Sequence, residues 1–353
     1  MRVLLVVAAA LLAPAASAAA AAPPLTFGIT PAGVAGALGP TVPPVPDDPP
    51  RTLAALQRLR PRGAPFVLRL NRFFWSDGQA GIDRFAALAR RYTRAGFRVE
   101  LQLRYHPRPE QVGDTRAWLA FVREVVDAFG PNRRVVGLQV TNEVNFTISP
   151  DSSDGAYAGA RDALIAGVET AHAQATRRGY RQLRIGFNWF SRTDAASEDA
   201  FWGYLRDHGG RAFVHAVDWV GLDAYPGTVF PPAVAPSGYG PAMVAALRSL
   251  RRHLRGIGIG RATPIHVEEN GWPTLSPART EAEQAQALRA MVRAVDAERG
   301  PLHVTDYRWF DLRDHRTAST NFQHHYGLLR DDYSPKPAYG AYRRLVAALS
   351  RRP

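Results

Sequence analysis

The chain has 353 residues, 46% of them hydrophobic, which is enough to bury a substantial core. It contains no cysteine, and this excludes disulfides, thiolate metal sites and a thiol nucleophile. The formal charge is +13, nearly all of it from arginine, but the arginines are spread along helical patterns rather than grouped with aromatics, so nucleic acid is not an expected partner.

The chain opens as a targeting segment. Met1-Arg2 is a short basic start, Val3 to Leu12 an apolar core, and Ala16-Ser17-Ala18 a small-residue cleavage site. Residues 1–22 are read as a signal peptide cleaved between Ala18 and Ala22, and residues 23–353 as one domain. The apolar run is too short to span a membrane, and no later stretch reaches about 18 apolar residues, so the mature chain is expected to be secreted with no membrane span. An exported chain without disulfides fits a bacterial setting.

From Leu25 onward, short β-like runs alternate with helical patterns of period 3.6. The expected strands are Leu25 to Thr30, Phe66 to Asn71, Val99 to Tyr105, Val135 to Asn142, Leu183 to Trp189, Val217 to Ala224, Pro264 to Glu269 and Leu302 to Trp309. Helical patterns fall between them, among them Ile82 to Ala95, Trp118 to Phe129, Ala156 to Arg178 and Glu281 to Glu298, and a last one over Ala338 to Leu349 follows the eighth strand. An even eightfold alternation predicts an α/β fold of the closed (β/α)8 type. Connections from strand to helix include the long ones, Pro31 to Pro50, Asn145 to Gly155, Pro226 to Gly240 and Phe310 to Pro337, whereas those from helix to strand are short. The long loops therefore gather where the strands end, the face on which such barrels keep their sites.

Strand alternation selects the inward side chains. On the fourth strand Val136, Leu138 and Val140 are the apolar face, so Thr141 and Glu143 point inward. The same test turns Arg69 and Asn71 inward on the second strand, Gln102, Arg104 and His106 on the third, Asn188 on the fifth, and Asp223 and Tyr225 on the sixth. On the seventh, Ile265, Val267 and Glu269 share one face, which places Glu269 inside and Glu268 on the opposite side.

Two carboxylates on the ends of two strands are what cleavage of a glycosidic bond requires, one to protonate the leaving oxygen and one to attack the sugar. Thr141-Asn142-Glu143 and Glu269-Asn270-Gly271-Trp272-Pro273 resemble the acid/base and nucleophile motifs of the clan A retaining glycoside hydrolases, the group with cellulase-like (β/α)8 barrels. The resemblance covers the whole mature chain, including the tail Ser334-Pro335-Lys336-Pro337-Ala338-Tyr339. It implies that Glu143 is the acid/base and Glu269 the nucleophile, and that Asn142 contacts the sugar 2-hydroxyl. It further implies that Tyr225 bonds the nucleophile, that Trp309 floors the sugar site, and that Arg69 and His106 take the roles of the strand-two arginine and strand-three histidine. Trp272, like Phe73-Phe74-Trp75 and Trp189-Phe190, offers a ring for stacking on sugars or for packing.

Two departures leave alternatives: Glu268 doubles the carboxylate of the seventh strand, and Arg72 rivals Arg69. The expected partner is a β-linked carbohydrate, polysaccharide or oligosaccharide, bound by a monomer that uses no metal and no cofactor. Exo-acting glycosidase and non-catalytic carbohydrate-binding barrel are the other readings. A metal-dependent hydrolase is disfavoured because the first strand lacks a His-x-His pair, and His315, His324 and His325 lack ligand spacing. Asp151 and Asp154 read as turn residues before a helix.

Overall fold

A computed structural model describes residues 22–32, 35, 42–192 and 194–350. All of the expected signal peptide except Ala22 lies outside these residues. Eight parallel strands close into a barrel in chain order, each hydrogen-bonded to its sequence neighbour and the last to the first. The strands are β1 (Thr26–Ile29), β2 (Phe66–Phe74), β3 (Arg98–Arg104), β4 (Val135–Val140), β5 (Arg184–Phe190), β6 (Trp219–Ala224), β7 (Ile265–Asn270) and β8 (Val304–Trp309). The helices between and after them are α1 (Pro49–Leu59), α2 (Gly78–Arg94), α3 (Thr115–Phe129), α4 (Ala160–Arg178), α5 (Ala195–Ala216), α6 (Tyr239–Gly256), α7 (Glu281–Glu298) and α8 (Pro337–Leu349). The (β/α)8 expectation holds, with most boundaries shifted by a few residues. No described helix is long and apolar enough to cross a membrane.

Local chemistry fixes where the helices begin. The Asp48 side chain accepts from the Arg51 amide at the start of α1, and Asp114 accepts from the Ala117 amide at the start of α3, so each satisfies a donor that the first turn leaves free. Thr280 and Glu283 form a reciprocal capping box on α7. At the other end of α4 the chain turns at Gly179, whose φ of 73° suits a residue without a Cβ.

The apolar strand faces pack outward on the helices. Leu68, Leu101, Leu138, Ile185, Leu222 and Val267 meet Leu56, Phe85, Val122, Leu164, Leu247 and Leu288 in one continuous core. The barrel lumen is different. It is filled by Arg69, Glu100, Gln102, Gln139, Glu268 and Arg308, each no more than 2% exposed. A lumen of charges needs matching geometry, because a buried ion that loses its partner costs several kcal/mol.

Four strand pairs slip in register, and two of these slips bear on the site. β2 runs on to Phe74, and its register against β3 slips between Leu70 and Phe73, with Arg72 at φ 62° in the slip. β7 slips against β6 so that Leu222 faces Val267 but Asp223 faces Glu269. The second slip corrects the reading of β7. Ile265 and Val267 join the apolar core, His266 and Glu268 point into the lumen, and the irregularity then turns Glu269 inward as well.

The barrel wall tolerates little extra volume where β1 meets its neighbours. A Cβ at Gly28 would lie 2.1 Å from the Val67 carbonyl oxygen and 2.6 Å from the Arg308 side chain. Gly28→Ala is expected to destabilise the fold by about 1–3 kcal/mol, read as a lowered urea midpoint at unchanged slope.

Candidate active site

Glu269 sits at the end of β7 with both carboxylate oxygens engaged. Oε1 accepts from Arg69 Nη1 at 2.6 Å and from Gln102 Nε2 at 3.3 Å, and Oε2 accepts from the Tyr225 hydroxyl at 2.6 Å. Arg69 comes from β2 and is fully buried; Nη2 donates to Gln139 Oε1 at 2.7 Å, and Nε lies 3.3 Å from Glu268. Of the two arginines that could meet the nucleophile, Arg69 makes the contact. Glu268, fully buried, is held by Arg69 and by His266 Nδ1 at 3.1 Å. It lies outside the cleft lining that contains Glu269.

The end of β4 delivers the second carboxylate through a strained turn. Thr141 has φ 64° and Glu143 has φ 47°, a region that non-glycine residues seldom occupy and that persists only where surrounding contacts impose it. Those contacts are present. Asp154 accepts from the Asn142 amide at 2.8 Å, and Asn188 Oδ1 accepts from the Glu143 amide at 2.8 Å. Asn142 Oδ1 accepts from Gln102, Gln139 and Asn188, and its Nδ2 donates to the Ser152 carbonyl at 2.7 Å.

The two strand ends meet. One oxygen each from Glu143, Asp223 and Glu269 lie within 4.8 Å of one another. Burial, and next the charge of Glu269, push the Glu143 carboxyl well above the usual range; burial and the same charge push Asp223 up. Three carboxylates this close cannot all be ionised, and the two that are pushed up are Glu143 and Asp223. Asn188 Nδ2 donates to Asp223 and ties it to the Glu143 turn.

These three residues, and separately Glu100, His266 and Glu268, have the spacing of metal ligands. Arg69 lies between the two groups, 2.6 Å from Glu269 and 3.3 Å from Glu268, so one guanidinium already serves both. The carboxylates open on a cleft of about 620 Å³, counting its mouth. One wall is polar, with Asn71, Arg72, Gln102, Arg104, Asn142 and Ser152; the other is aromatic, with Phe146, Phe190, Tyr225, Phe310 and Tyr326.

Three expected contact residues lie elsewhere. Trp309 is 0% exposed within the apolar core: Arg308 points into the lumen, so alternation sends Trp309 toward the helices. Phe310, one residue on, lines the cleft and packs against Tyr225 and Tyr326. Trp272 packs edge-on to Tyr239 and under Arg279, outside the cleft lining. His106 lies 3.3 Å from Ser76 Oγ, between the rings of Phe74 and Tyr157, and is also outside the lining.

Asp154 is more than a turn residue: fully buried, it accepts from Arg104 Nε at 2.9 Å and from the amides of Tyr105 and Asn142. His315 stacks on His324 and meets the Val42 carbonyl, while His324 and His325 meet Ser319, so the three rings fasten the last loop. Alternation had already turned Gln102, Asn188 and Asp223 inward; their place around the two glutamates follows from strand register, which periodicity does not supply.

No family model and no curated relative matches the sequence. Solved structures do match. GH5_18 from Streptomyces cattleya in complex with GlcNAc is similar over 94% of this chain and 82% of that one, with 17% identity and a TM-score of 0.63. A family 39 glycoside hydrolase from the gut symbiont Bacteroides cellulosilyticus WH2 is similar over 93% of this chain and 64% of that one, with 17% identity and a TM-score of 0.58. The GH1 beta-glucosidase from Exiguobacterium antarcticum B7 is similar over 92% and 97%, with 14% identity and a TM-score of 0.59. The shared property is the barrel.

The placement of Phe310 in the cleft and of Trp309 in the core is open to test by calorimetric titration with oligosaccharides. Phe310→Ala is expected to weaken sugar binding about tenfold, the loss of one stacking ring. Trp309→Phe is expected to leave affinity unchanged and to cost about 1–3 kcal/mol of stability.

Proposed function

We propose that the protein is a secreted retaining β-glycoside hydrolase acting on a β-linked polysaccharide or oligosaccharide. The observation that carries this reading is the approach of Glu143 and Glu269 oxygens to within 4.8 Å at the floor of one cleft. Retention needs carboxyl groups roughly 5–5.5 Å apart, whereas inversion needs about 6.5–9.5 Å to admit water. The resemblance of the two motifs and the glycoside hydrolases among the fold neighbours support the same reading. The basic, apolar and small-residue sequence at the start of the chain supports export.

In this mechanism a Glu269 oxygen attacks the anomeric carbon while the bond to the leaving oxygen breaks and Glu143 gives that oxygen its proton. Arg69 and Tyr225 both donate to Glu269 and aim it, which suits a nucleophile that must start and finish as an anion. Glu143, now a carboxylate, removes a proton from water. The hydroxyl so formed joins the anomeric carbon and Glu269 leaves. Burial keeps Glu143 protonated for the first step; once Glu269 is esterified, its charge no longer raises Glu143, and the base form becomes easier to reach. A non-catalytic carbohydrate-binding barrel would have no use for this arrangement of charges.

A 2-fluoro-glycosyl inactivator is expected to label Glu269 stoichiometrically, with the added mass on the peptide that carries it. Glu143→Ala should slow turnover of unactivated substrate by about 10²–10⁴-fold. Labelling elsewhere, or full activity of Glu143→Ala, would overturn the assignment. The pH dependence has a worked sign: because the Glu143 pKa is raised, the acid form persists through mildly acidic pH and is lost as pH rises through that value. The basic limb of kcat/KM should therefore lie well above about 4.3, the value of an ordinary glutamate.

A further inference from the structure

Arg72 is the cleft cation without a matching anion. It lies in the slip of β2 at φ 62°, and its backbone amide donates to Gln102 Oε1 at 2.8 Å, the same side chain that donates to Glu269. Its guanidinium lies 5.1 Å from the centre of the Phe74 ring, and the Arg104 guanidinium lies 5.3 Å from the same ring. Two cations therefore share one wall, and both line the cleft.

They are balanced differently. Arg104 pairs with Asp154 at 2.9 Å, and its other nitrogens reach the Asp151 and Pro150 carbonyls. Arg72 donates to the Asp151 carbonyl at 3.2 Å, and among the described residues no carboxylate lies within 4.0 Å of it. The undescribed residues contain no Asp or Glu that could be its partner. Burial and then the neighbouring Arg104 lower the Arg72 pKa, and the Asp151 and Asp77 carboxylates, neither close enough to pair with it, offset this only in part. A half-buried guanidinium with spare donors, beside a second cation and facing a cleft, is completed by an anion that arrives with the ligand.

We propose that Arg72, backed by Arg104, forms an anion subsite beside the nucleophile, and that the substrate is a β-linked glycan whose sugars carry a carboxylate, a hexuronate glycan. A planar carboxylate accepts two parallel bonds from the guanidinium fork, which a neutral hydroxymethyl group cannot do. The formal charge of +13 would draw such a polymer toward the protein. The substrate class rests on the glycosidase reading, whereas the anion subsite itself is measurable without turnover.

The test compares two sulfur-linked tetrasaccharides that resist hydrolysis, a β-1,4-tetraglucuronate and the matching cellotetraose, which differ only at C6. Calorimetric titration of the intact protein is expected to give affinity about tenfold or more in favour of the glucuronate, the scale of one charge-assisted contact. That preference should shrink with added salt and disappear in Arg72→Gln, while Arg72→Lys keeps part of it. An unchanged urea midpoint of Arg72→Gln shows that the fold around the cleft is intact. Equal binding of the two sugars by the wild type, binding of neither, or a preference that survives in Arg72→Gln would overturn the proposal. A glycosidase reading that failed would show separately, as absence of label on Glu269 with the acid preference still present.

Discussion

The contact on which the rest depends is the Arg69 guanidinium at the centre of the barrel. It is fully buried and meets Glu269 on the cleft side, Glu268 and the edge of Glu100 on the lumen side, and Gln139 between them. Removing a charge from water costs several kcal/mol, so an arginine survives here only because carboxylates surround it, and each carboxylate survives because of the arginine. That mutual dependence ties β2 to β7 across the barrel lumen. It also aims the Glu269 oxygens, since Nη1 and the Tyr225 hydroxyl leave the carboxylate little freedom to rotate.

Around that contact three of the departures from ideal strand geometry serve the cleft. The slip in β7 turns two consecutive glutamates inward, one to the lumen and one to the cleft. The slip in β2 frees Arg72 to leave the ladder while Phe73 returns to the core against Phe85. The positive φ values of Thr141 and Glu143 end β4 abruptly and swing Glu143 toward Asp223. Strain of this kind costs on the order of 1–3 kcal/mol per residue, and here the buried hydrogen bonds that the Asn142 and Glu143 amides donate to Asp154 and Asn188 offset it.

The same departures mark where the sequence stops being legible. Period-two alternation locates Gln102, Asn188 and Asp223, and it places Glu143 inward, because β3, β5, β6 and most of β4 are regular. It puts Glu269 inside for the wrong reason: counting from Ile265 assumes a regular strand, and the slip cancels the error. At β8 the register slips once, between Val304 and Asp306, and from Tyr307 onward alternation sends Trp309 outward with Tyr307, whereas the family resemblance places it in the site. Phe310 follows the strand, where alternation no longer applies. Asp154 looked like turn chemistry since nothing in its local sequence reveals Arg104, fifty positions away in the chain.

Charge accounting in the interior connects the fold to the proposed chemistry. Six acids, Glu100, Glu143, Asp223, Glu268, Glu269 and Asp306, lie in or beside the lumen with the two guanidiniums of Arg69 and Arg308. The excess must be met by protons. Burial and then Glu268 push Glu100 well up, and burial and then Glu269 push up Glu143 and Asp223. Asp306, although burial opposes it, is held low by His266 and Arg308. The acids that are pushed up are those for which burial and a neighbouring carboxylate outweigh the cations, Glu100 included although it meets both Arg69 and Arg308. Glu143 is among them because it is buried and faces the charge of Glu269. The two carboxylates of the proposed pair are thus held differently, Glu143 pushed up by burial and Glu269 fastened by the Arg69 guanidinium on its side of the gap.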